Sequence, residues 1–163
     1  MQLTSIGWMF TLGVLAHNTE EAVYLPAWSV QAGKWYAPVS NHVFRFAVLL
    51  LSGLFILITA TATFSPAGSV GAYLMAGYVL AMLLNVFMPH LMATVFMCRY
   101  MPGTATAVVL NLPLGLFYLH QVLFEARIDL HVFFWAGPLV VLAILATIPA
   151  LFALGRKLFP TAA

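Results

Sequence analysis

Five long apolar stretches, separated only by short polar breaks, constrain this chain more than any other feature. They run from about Leu3 to Leu25, Asn41 to Phe64, Val70 to Cys98, Thr104 to Phe124 and Leu130 to Leu158. A helix that crosses a bilayer needs about 20 largely apolar residues, and each stretch supplies them. Inside lipid only helices and closed barrels satisfy every backbone N–H and C=O. The stretches are too long and too uniformly apolar for the alternating, roughly ten-residue strands of a barrel. The expected fold is therefore all-α, a single polytopic bundle of five spanning helices. Pro26 is expected to end the first helix, and Ser65-Pro66-Ala67-Gly68 the second.

Composition agrees. Charged residues make up 6% of the 163 and hydrophobic ones 64%, against about 25% charged in soluble domains. No Lys/Arg run suggests nucleic acid, and the net charge is only +2. The partner this composition demands is the lipid bilayer. One cysteine, Cys98, leaves no internal disulfide to form. Met1–Ala16 lacks the basic start and small-residue cleavage site of a secretory leader, so this stretch is read as a helix.

Five of six basic residues, Lys34, Arg45, Arg99, Arg156 and Lys157, fall on one side of such a bundle, and Arg127 falls on the other. By the positive-inside rule the N-terminus is expected outside and the C-terminus in the cytoplasm. The expected location is a bacterial-type inner membrane. Small residues recur at four-residue spacing in Ala72/Ala76, Gly77/Ala81 and Ala146/Ala150, which permits close approach of helices within one chain. An oligomer stays open.

Ionisable residues inside a membrane helix are costly and mark candidate sites. The chain holds four acidic residues, and two of them lie in His17-Asn18-Thr19-Glu20-Glu21. Glu20 and Glu21 follow His17 by three and four residues, so both share a helix face with the imidazole. Two adjacent carboxylates repel unless one is protonated or a cation is present. Counting depth along each helix brings His42, Arg45, His90 and Asn111 into the same layer, with Asn85 nearer the membrane centre. The expected metal ligands are His17, Glu20, Glu21, His42 and His90. Glu20, Glu21, Arg45 and Asn111 are the expected catalytic groups. Asn85 reads as an interhelical hydrogen bond, and His120, Glu125, Arg127, Asp129 and His131 collect near the opposite face.

The pattern H-x-x-E-E at His17-Asn18-Thr19-Glu20-Glu21 resembles that of the HXXEE-motif family of small integral membrane proteins. The resemblance extends to chain size, helical hydropathy and the motif's place at the end of the first span. It implies the importance of His17, Glu20 and Glu21, and no particular reaction. The motif differs from H-E-x-x-H, which carries a second zinc-binding histidine on the same helix. Here that histidine has to come from elsewhere in the bundle.

Three functions compete. The leading expectation is a membrane-embedded, metal-dependent enzyme, a hydrolase or an acid–base isomerase, acting on a lipid-like or other apolar substrate. Zinc suits a histidine–carboxylate set, with iron or manganese close behind, and one glutamate would serve as general base. The alternative is a proton or ion relay through the two glutamates, although five spans give no even internal repeat. The third is a protein that binds a hydrophobic ligand without chemistry.

Overall fold

The computed structural model describes residues 2–33 and 36–160; Lys34 and Trp35 lie outside them. Five helical segments follow one another: α1 (Leu3–Gln31), α2 (Asn41–Thr63), α3 (Val70–Phe96), α4 (Thr104–Phe124) and α5 (Leu130–Leu158). No strand occurs among the described residues. The last four helices are long and apolar enough to cross a membrane, as expected of a membrane protein. The first is as long as α5, but the polar cluster in its middle dilutes its apolar character.

Two of the expected boundaries need correction, and one helix has an internal irregularity. Pro26 does not end α1, which continues a further turn to Gln31. A proline inside a helix removes one N–H and orphans the carbonyl four residues earlier. Here that carbonyl belongs to Ala22, and the Nε–H of Arg45 on α2 donates to it at 3.0 Å. The helix survives its proline because a neighbour supplies the missing donor. The second correction is that α3 ends at Phe96 and is interrupted. Met88 has extended dihedrals (φ −131°, ψ 117°) before a cis Pro89, in keeping with the bias of residues preceding proline away from helix. Around this break Val86–Leu91 forms a wide, π-type turn. The irregularity is a similar wide turn over Ala107–Asn111 in α4.

The core runs the length of the bundle. Ile6, Phe10 and Val14 of α1 meet Phe55 of α2, Met75 and Val79 of α3, and Tyr118 of α4. Phe55 and Tyr78 stack with ring centres 4.2 Å apart. The small residues expected to allow close approach do so on α3. Ala72, Ala76, Gly77 and Ala81 are buried, and a Cβ added at Gly77 would stand 2.4 Å from Val140 of α5. A second, smaller core at the other end gathers Leu25, Trp28 and Ala32 of α1 with Phe44 and Met101.

Candidate metal centre

His17, Glu21 and His90 meet between α1 and the broken part of α3, and their ligand atoms all lie within 4.8 Å of one another. Glu21 Oε1 is 3.2 Å from His90 Nε2, and Glu21 Oε2 is 3.8 Å from His17 Nε2. Two ligands of a tetrahedral zinc, each bonded at about 2.0–2.1 Å, stand about 3.3 Å apart. The observed spacings are close to that value. The two imidazoles pack edge-on, ring centres 4.7 Å apart at 83°.

Both histidines are buried, at 1% and 0% exposure. The ring of His17 is oriented by its outer nitrogen. Nδ1 stands 3.0 Å from the Gly103 carbonyl and 3.2 Å from the Thr106 hydroxyl. With Nδ1–H donating to that carbonyl, Nε2 faces Glu21 as a lone pair. A hydrogen bond that fixes the tautomer in this way is the usual support for a metal-ligating imidazole. The side-chain amide of Asn85 stands 3.3 Å from the same Nε2 and closes a further side of the site.

His90 differs. Neither of its ring nitrogens has a hydrogen-bond partner among the described residues. Glu21 Oε1, 3.2 Å from Nε2, is within ion-pair distance but outside hydrogen-bond geometry. Leaving a buried polar atom unpaired costs about 1–3 kcal/mol, and an imidazole and a carboxylate facing each other in this way could share a cation.

Gly103 forms the wall. Its φ of +93° favours glycine, and a Cβ there would fall 2.7 Å from His90, 2.8 Å from His17 and 3.1 Å from Glu21. No other residue fits both the conformation and the space. The segment that carries it is pinned to α3 by Thr94, whose hydroxyl meets that of Thr104 at 2.9 Å and accepts from the Met101 N–H.

Glu20, adjacent in sequence to Glu21, has another role. Its carboxylate accepts from the Gly103 N–H at 2.9 Å, the Thr106 hydroxyl at 2.7 Å and the Tyr100 hydroxyl. Burial and the neighbouring carboxylate push the Tyr100 phenol above its usual range, which keeps it a donor. With three donors upon it, Glu20 clamps residues 100–106 against α1 and stands outside the His17–Glu21–His90 group.

The other expected residues separate. His42 is exposed and stacks on Phe159, ring centres 6.0 Å apart. Arg45 is occupied with the Ala22 carbonyl. Neither belongs to the cluster, because α2 packs against the flank of α1 that bears Asn18 and Ala22. Asn111 lies one helical turn from His17, its amide oxygen 3.3 Å from where a Cβ on Gly13 would stand. It is fully buried, and neither of its amide atoms has a hydrogen-bond partner among the described residues. Reasoning from sequence did not assign Asn85, Tyr100, Gly103 or Thr106 to the site. Pro102-Gly103 was a visible turn signal. That the turn folds back over the motif was not visible.

A family model described as "Protein of unknown function with HXXEE motif" matches residues 8–118, a stretch that holds every residue named in this site. The "Uncharacterized protein YrkK" of Bacillus subtilis (strain 168) is 33% identical over 151 residues, which cover 93% of this chain and 96% of that protein. No solved structure matches. The chain belongs to the HXXEE-motif family.

Proposed function

We propose that His17, Glu21 and His90 hold a divalent cation, zinc first, and that the protein is a membrane-embedded metal-dependent enzyme acting on a lipid-like substrate. The observation that carries this reading is His90, an imidazole buried at 0% exposure with neither nitrogen hydrogen-bonded, aimed at Glu21. Two histidines and one carboxylate suit zinc or iron. A bound cation would supply Lewis acidity and a water acidified to near neutral pH. The chain's own residues then divide the work. Glu21 has no other cationic partner and serves as ligand or proton acceptor, Asn85 orients a polar group beside His17, and Asn111 offers an unpaired amide one turn deeper. Glu20 positions the wall instead of acting as base.

The test is metal content after purification without chelator. About one equivalent is expected in the native protein, and under a tenth in His90→Ala and Glu21→Gln. Native protein without metal, and unable to bind added zinc, overturns the reading.

In the membrane we place all five helices as spans, with the N-terminus outside and the C-terminus in the cytoplasm of a bacterial-type inner membrane. At 29 residues α1 is about 43 Å long, more than the roughly 30 Å of hydrocarbon. Cysteine accessibility at positions 2 and 160 tests the orientation.

A proton relay is the second reading. It is favoured by the polar pairs that follow one flank of α1, Trp8–Thr63, Thr11–Thr59 and Asn18–Ser52. A proteoliposome proton flux lost in Glu21→Gln would favour it over the enzyme.

A further inference from the structure

A cavity of about 710 Å³ opens at the end of the bundle away from the proposed metal centre, a size within the roughly 300–1,000 Å³ of small-molecule sites. Four helices wall it, with Gly7 from α1, Thr63 from α2, Met75 from α3 and Tyr118 from α4. Gly7 precedes His17 by ten residues, about 15 Å of helix, and the two sites share no residue. The missing side chain of Gly7 lets the Tyr118 ring close on α1. A Cβ there would stand 3.3 Å from Tyr118 Cε2 and 3.5 Å from Met75 Cε.

Three groups of this cavity have bonds left to make. Tyr118 is 4% exposed and borders the cavity, and its hydroxyl makes no hydrogen bond among the described residues. Glu125 and Arg127 stand at the mouth. They are placed by the end of α4, a left-handed turn at Ala126 (φ 49°) closed by the Arg127 N–H on the Val122 carbonyl at 2.9 Å, the usual way a helix stops. One guanidinium nitrogen of Arg127 donates to the Ser65 carbonyl at 2.8 Å, which fixes the group and leaves its remaining N–H donors to other uses. Neither Arg127 nor Glu125 forms an ion pair among the described residues, and both lie within electrostatic reach of Tyr118.

The cavity therefore carries one charge of each sign. A lone anion drawn to Arg127 would meet the Glu125 carboxylate, and a lone cation drawn to Glu125 would meet the guanidinium. A ligand with both charges satisfies both, and a guanidinium takes a carboxylate through two parallel hydrogen bonds. Gly7, Met75 and Val122 leave apolar surface for the rest of the ligand. We infer that this cavity binds a small zwitterion with an apolar side chain, a free amino acid, its carboxylate on Arg127 and Tyr118 and its ammonium on Glu125. The ethanolamine headgroup of a phospholipid carries the same pair of charges, and competition separates the two sources. The inference stands without the metal.

The test is saturable binding of radiolabelled leucine and phenylalanine to the detergent-purified full chain. Competitors are isopentylamine, 4-methylpentanoate and glycerophosphoethanolamine, which supply the ammonium alone, the carboxylate alone and the lipid headgroup. Unlabelled leucine is expected to compete at least tenfold better than any of them. Tyr118→Phe, which removes only the hydroxyl, should weaken leucine binding at least fivefold. Glu125→Gln, at an exposed position, should weaken it at least tenfold and erase the preference over 4-methylpentanoate. Absence of saturable binding by both amino acids, equal competition by the amine, the acid or the headgroup, or native binding by Glu125→Gln overturns the inference. A native chain that binds leucine but no zinc overturns the metal reading alone.

Discussion

The first turns of α1 and its middle treat their polar groups in opposite ways. Toward its N-terminus they satisfy one another. The Trp8 indole donates to Thr63 at 3.1 Å, the Thr11 and Thr59 hydroxyls meet at 2.6 Å, and Arg127 donates to the Ser65 carbonyl at 2.8 Å. Thr59, Thr63 and Arg127 border a cavity of about 710 Å³, yet these hydrogen bonds close among the protein's own groups. Around His17 the balance is incomplete, since His90 and Asn111 are fully buried with unpaired side-chain atoms. Elsewhere Tyr78 and Trp28 are exceptions, each with a buried polar atom that has no hydrogen-bond partner among the described residues. A polar group tucked into a bundle and left unpaired works against stability. The contrast separates polar residues that hold helices together from those held ready for something else.

The strongest way to break this contrast is Gly103→Ala. Left-handed backbone costs a residue with a Cβ about 1–2 kcal/mol, and overpacking against both imidazoles adds about 1–3 kcal/mol. A loss of about 2–5 kcal/mol in denaturant stability is expected, together with a fall of at least 100-fold in zinc affinity by competition with a chelator. Unchanged affinity would show that the wall does not touch the site.

Asn111→Leu should shift stability the other way. Replacing a buried, unpaired amide with an apolar side chain of similar shape should raise stability by about 1–3 kcal/mol in a denaturant titration. Destabilisation in the same assay would mean that the amide is already satisfied. Toward the N-terminus Thr11→Val removes one hydroxyl pair. It should cost about 0.6–1 kcal/mol and leave metal content intact. The smallest effect is expected at His42→Ala, within about 0.5 kcal/mol of native stability and with full metal content. Loss of metal there would return His42 to the site.

Helices α4 and α5 are legible to the residue because Pro102-Gly103 and their long apolar runs are local signals, while the Asp129 side chain that accepts from the Val132 N–H to start α5 was not read from sequence. The motif was legible too, since adjacent charges stand out in a chain that is only 6% charged. Depth along a helix could be counted, but rotation about the axis could not. His42 and Arg45 share the depth of His17 and lie on the wrong flank. The course of α1 beyond Pro26 depends on a donor from another helix, which no local rule supplies. The Met88 break, which brings His90 in against Glu21, was announced by Pro89 but not in its direction.

The anchor of His17 on the Gly103 carbonyl joins residues 86 positions apart, and this has a consequence for biosynthesis. At about 5–20 residues per second, the ribosome delivers Gly103 about 4–17 s after His17. Through that interval the first helix carries two glutamates and a histidine whose eventual partners do not yet exist. The order of synthesis thus makes α1 the segment most dependent on water or an insertion partner. Its packing on α2 can form earlier, but the His17 anchor closes only once the loop before α4 has been made.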